Sequence, residues 1–63
     1  MEGTELRQLR RRLNMTQREL SEALDLAKDT VARMERDEMP IQRVTEFAVR
    51  YLLSRQKQRK EKR

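Results

Sequence analysis

The chain has 63 residues, 16 lysines and arginines against 11 acidic residues, no histidine, no cysteine and a formal charge of +5. A chain this short makes one domain, with a core that is marginal unless it packs tightly or a partner adds to it. The missing residue types exclude disulfides, thiolate or imidazole metal sites and histidine acid–base chemistry, and no apolar run reaches membrane-spanning length or forms the core of a secretion signal.

Only Gly3 and Pro40 interrupt a helix-favouring sequence, so the expected fold class is all-α. Leu6, Leu9 and Leu13 return at three- and four-residue steps and predict a first helix with Thr4 as its N-cap. Asn14 follows the last turn, where a left-handed residue with a short polar side chain is tolerated. Thr16-Gln17-Arg18-Glu19 reads as a capping box, the hydroxyl accepting from the Glu19 amide and the carboxylate reaching back. Leu20, Ala23 and Leu24 give the apolar face of a short second helix that ends near Asp25. A third helix turns Val31 and Met34 inward and closes around Glu35 and Arg36. Pro40 stands at the start of a fourth, along which Ile41, Val44, Phe47, Ala48, Tyr51 and Leu52 repeat, with Phe47 expected in the core.

The charge is unevenly placed. Residues 1–53 hold ten basic and ten acidic groups, whereas residues 54–63 hold six basic groups and Glu61, so the excess lies in the tail. Residues 1–53 are expected to form the folded domain and 54–63 a basic tail, frayed or disordered, because it has no apolar face. The body must therefore attract any anionic partner by arrangement rather than by net charge.

Counting from Gln17 as the first position, Leu20, Leu24, Leu26, Val31 and Met34 occupy positions 4, 8, 10, 15 and 18. Ser21, at position 5, is small where two helices approach closely. Asp25, at position 9, must take a left-handed conformation at a cost of roughly 1 kcal/mol against glycine. This is the pattern of a helix-turn-helix, whose second helix enters the DNA major groove.

The run from Thr4 to Leu53 resembles the Cro/phage-repressor family, also called the xenobiotic-response-element family. The resemblance rests on T-Q-x-E-L (16–20), A-L-D-L (23–26), T-V-x-R-x-E (30–35) and Pro40, in that order and spacing. It implies a compact bundle of four to five helices. Asp25 stands where the family usually has glycine, and Ala27, where it has serine or threonine, removes a side-chain cap worth about 1 kcal/mol. Met34 replaces a frequent aromatic, and Asp37 and Glu38 stand where many members have glycine and basic residues. Arg10 and Glu35 match a partly buried pair that ties the first helix to the end of the third, a structural role.

Gln17, followed by Arg18, begins the second helix, so its side chain and backbone amide can face a phosphate. Lys28, Asp29 and Arg33 are expected to project from the outer face of the third helix, since Val31 and Met34 point inward. Arg33 suits guanine O6 and N7, against a rival pairing with Asp29. Lys28 fits guanine or phosphate equally, and Asp29 fits either cytosine N4 or a helix start that lacks its cap. Thr30 suits a phosphate or thymine methyl, with buried packing as its rival, and Arg43 suits a phosphate. Val49, Tyr51 and Leu53 exceed what one helix face can bury in so small a bundle, and point to a homodimer interface.

The expectation is a cytoplasmic, sequence-specific binder of double-stranded DNA, a repressor or autoregulator acting as a dimer on a pseudo-palindromic operator. It is not expected to be an enzyme, nor to need a metal, cofactor, membrane or small-molecule effector. The alternative is an antitoxin or accessory subunit whose helix-turn-helix mainly binds a protein partner. A third reading is a nonspecific nucleic-acid binder driven by the tail.

Overall fold

The computed structural model describes residues 1–61, with side chains through residue 56. It consists of α1 (Gly3–Arg12), α2 (Gln17–Ala23), α3 (Thr30–Glu35) and α4 (Arg43–Glu61), with no strand among the described residues. The α1 helix is the centre of the bundle: α3 and α4 both pack on it, and α2 packs on α3. Leu6, Leu20, Val31 and Val49 are wholly buried and Leu13 and Met34 nearly so, which brings side chains from every helix into one core. Each such burial contributes about 1.5–3 kcal/mol.

The first three helices end in the same way. Asn14, Asp25 and Asp37 follow them with φ of 59°, 61° and 60°, in the left-handed region. After each, the chain returns a pair of amides to the last turn. Asn14 donates to Arg11 and Met15 to Arg10, Asp25 to Glu22 and Leu26 to Ser21, Asp37 to Met34 and Glu38 to Arg33. These are Schellman ends, in which two orphan carbonyls are satisfied by the residues just past the helix. Met15 and Leu26 then pack on the core, so two of the three ends double as apolar contacts. None uses glycine. Asp25→Gly is expected to raise stability by about 0.5–1 kcal/mol, read as a higher urea midpoint at unchanged slope. A lower midpoint would contradict it.

Two helix starts differ from the sequence expectation. The α1 helix begins at Gly3, not after Thr4: Glu2 is the N-cap, its amide donates to Glu5 Oε1 at 3.2 Å, and the Gly3 amide donates to Asp37 Oδ1 at 3.0 Å. A carboxylate 34 positions along the chain thus stabilises this helix end. The α3 helix begins only at Thr30, leaving Lys28 and Asp29 in the turn before it rather than on its face. Ala27 offers no side-chain acceptor, and Ser21 Oγ on α2 instead accepts from the Val31 amide at 3.2 Å.

The α4 helix starts at Arg43, three residues after Pro40, and presents a different face from the one expected. Thr45, Val49, Leu52 and Leu53 fall on one side of it, and Val44, Phe47 and Tyr51 on the other. Only one stripe can meet α1, and the aliphatic one does. Phe47 is therefore not in the core but 61% exposed, with Tyr51 at 59% and Val44 at 75%. Val49 is wholly buried and Leu53 is half-buried against the core, so neither is free for the interface expected of them. The expected domain boundary at residue 53 falls within α4, and the side chains of residues 57–63, most of the basic tail, lie outside the described residues.

Candidate nucleic-acid interface

The α2–turn–α3 unit is built around Ser21. Its side chain is wholly buried, its carbonyl accepts from the Leu26 amide at 2.8 Å, and its hydroxyl holds the first turn of α3. Serine at this position is thus more than small: its hydroxyl also fixes the start of the next helix. The Thr16 capping box sets the other end of α2, with Glu19 amide to Thr16 Oγ1 at 3.0 Å and Thr16 amide to Glu19 Oε1 at 2.8 Å.

Around this frame, Lys28, Asp29 and Arg33 are exposed and Thr30 is half-buried. Asp29 occupies the N-cap of α3 but makes no side-chain hydrogen bond to it. The rival pairing of Arg33 with Asp29 is not formed, and among the described residues Lys28, Arg33 and Arg43 have no carboxylate within ion-pair distance. Arg43 is exposed at the first position of α4. Arg18 is exposed and lies 3.8 Å from Glu22 one turn on, a loose pair that leaves it available. In the turn after α3, Arg36 pairs with Glu38 at 2.9 Å. Arg36, and more weakly Arg33, hold the Glu38 carboxyl below its ordinary value, while Glu38 and Asp29 raise the Arg36 guanidinium.

Gln17 is placed otherwise than expected. Its side chain is half-buried, and Nε2 donates to Glu35 Oε1 at 3.0 Å, so its amide nitrogen is engaged within the protein. Glu35 is a hub. Its side chain is wholly buried, with Arg10 Nε at 2.6 Å from Oε2, Arg10 Nη2 at 3.3 Å from Oε1 and Arg7 Nε at 3.3 Å from Oε1. Burial pushes its carboxyl up, but hydrogen bonds from Arg10, Gln17 and Arg7, with the Arg10 charge, outweigh this and hold it below the ordinary range. Arg10 also donates through Nη1 to the Met15 carbonyl at 3.0 Å, bracing the end of α1. One carboxylate thereby joins α1, α2 and α3. The sequence pattern marks Arg10 and Glu35 as a pair, but gives no sign that Arg7 and Gln17 join them, meeting Glu35 across 28 and 18 positions.

Among the described residues no helix is long and apolar enough to cross a membrane, and no three acidic side chains converge as a metal site would require. The profile of a family described as helix-turn-helix domain matches residues 3–58, nearly the whole chain. No curated protein and no solved structure matches it. The helix-turn-helix is a DNA-binding motif, and the four-helix geometry, the Ser21-centred turn and the matched span agree with one another. The chain belongs to the helix-turn-helix domain family.

Proposed function

We propose that the protein is a sequence-specific regulator of transcription, a repressor or autoregulator that occupies an operator overlapping a promoter. The observation that carries this reading is the pair Lys28 and Arg33, exposed and without ion-pair partners among the described residues, beside a capped helix-turn-helix. Arg33 donates to guanine O6 and N7, and Asp29, which caps nothing, accepts from cytosine N4. Lys28 meets guanine or a phosphate, and Thr30 a phosphate or a thymine methyl. Arg18, Arg43 and the backbone amide of Gln17 hold phosphates, since the Gln17 side-chain nitrogen is given to Glu35. The basic residues of 54–63 add affinity without sequence information.

Two copies would read two half-sites. Tyr51 keeps its place in the proposed interface, and Val44 and Phe47 take the places of Val49 and Leu53, because these three form the exposed apolar stripe of α4. Arg43 and Arg55 border the stripe, while Arg50 beside it is paired with Glu46 at 3.1 Å, so a second copy brings the Arg43 and Arg55 charges together. Association is therefore weak in the free protein and strengthened on DNA, where phosphates neutralise those charges.

Footprinting on the DNA flanking its own gene tests the reading: a protected palindrome with half-sites about one helical turn apart is expected. Arg33→Ala should leave the fold intact and cut discrimination at one base pair of each half-site by about 1–3 kcal/mol. Wild type and Arg33→Ala binding all duplexes alike would refute base readout. A single protected half-site, with a monomer mass on the operator, would refute the dimer.

A further inference from the structure

The hub at Glu35 contains two arginines for one carboxylate, and they are used differently. Arg10 is turned inward: its side chain is 15% exposed, and Nε, Nη1 and Nη2 all donate within the protein. Arg7 is 44% exposed and donates only through Nε, at 3.3 Å, to the oxygen that also accepts from Gln17. Among the described residues its two terminal nitrogens have no hydrogen-bond partner. Glu35 does not depend on it, because Arg10 and Gln17 already supply three donors to its two oxygens. The surplus positive charge of the hub therefore resides on Arg7, on the side where α1 meets Gln17.

We infer that Arg7 is a preset phosphate anchor, taking one phosphodiester of the DNA backbone on the free edge of its guanidinium. This rests on the DNA-binding reading above and extends the backbone contacts from α2 to α1. The terminal nitrogens of a guanidinium match two phosphate oxygens bidentately. A flexible surface arginine loses rotamer freedom when it makes such a contact, whereas the Nε bond to Glu35 already holds Arg7 in place. The carboxylate is thus a positioning group for the anchor, and one side chain serves the fold through Nε and the DNA through its two Nη groups.

The test compares wild type with Arg7→Gln, which keeps a donor for Glu35 and removes the charge, and with Arg7→Lys, which keeps the charge and loses the fork. Binding to the footprinted operator and to a scrambled duplex is measured between 50 and 200 mM salt, alongside thermal unfolding. Arg7→Gln is expected to bind both duplexes more weakly and to flatten the slope of log K against log salt by about 0.9 for each bound copy, so that its disadvantage shrinks about 3.5-fold per copy over that range. Arg7→Lys should retain the wild-type slope with lower affinity. An Arg7→Gln protein with wild-type slope and affinity overturns the anchor alone, as does weakened binding at an unchanged slope with a lowered melting temperature, which marks a purely structural arginine. Wild type that binds no duplex at 50 mM salt overturns the DNA-binding reading, and the anchor with it.

Discussion

Glu35→Ala is expected to destabilise the protein by about 3–5 kcal/mol, because it removes the counter-charge of a largely buried Arg10 and leaves three donor side chains on α1 and α2 unmatched. At roughly 0.05–0.15 kcal/mol per residue, the whole chain holds on the order of 3–9 kcal/mol, so this one carboxylate decides whether it is folded. Urea unfolding at neutral pH measures the effect, and a loss below about 1 kcal/mol would mean that the hub is incidental. The pH dependence gives a second reading of the same group. Its folded-state pKa lies below the ordinary value of 4.5, so the ionised hub favours folding fully above that pH, and the advantage is lost as pH falls through the folded value. The gap between wild type and Glu35→Ala should therefore be flat from pH 7 to about 5 and narrow only below about 4.5. A gap that widens on acidification would contradict the sign.

Gly3→Ala is expected to cost about 2–3 kcal/mol, although alanine inside a helix ordinarily gains roughly 0.5–1 kcal/mol over glycine. A Cβ at position 3 would stand 2.5 Å from the Glu35 carbonyl oxygen and 2.7 Å from that of Met34. Both are backbone atoms at the end of α3 and cannot swing aside, so α1 must move away, stretching the bond from the Gly3 amide to Asp37. Thermal unfolding separates the outcomes: a melting temperature at or above wild type would show that the approach of α1 to α3 is looser than these distances.

What the sequence makes legible here is local. The Thr16–Glu19 box, the left-handed Asn14 and Asp25, and the inward Leu6, Leu20 and Val31 follow from steps of three to nine residues and are found in place. What it hides is decided by contacts between distant positions. Thr4 yields the start of α1 to Glu2 because Asp37 arrives from beyond α3, and the Gln17 amide turns to Glu35 rather than outward. Ala27 loses the start of α3 to Thr30 because Ser21 supplies an acceptor from another helix. The α4 helix shows the limit of periodicity: two apolar stripes fit the same helical steps, and only the space beside α1 selects the one with Val49 and turns Phe47 outward. The anchors proposed for DNA are legible where they are exposed, as with Arg33, and illegible where they are shared with the core, as with Arg7.

The three left-handed residues also measure how much tolerance the domain holds in reserve. Asp37 is committed, since its carboxylate caps α1, but neither Asn14 nor Asp25 makes a side-chain hydrogen bond among the described residues. Glycine at both would recover about 1–2 kcal/mol, enough to offset part of a damaged hub. Such a background would help variants of Glu35 stay folded, so that its hold on Arg7 and Gln17 could be weighed apart from its hold on the fold.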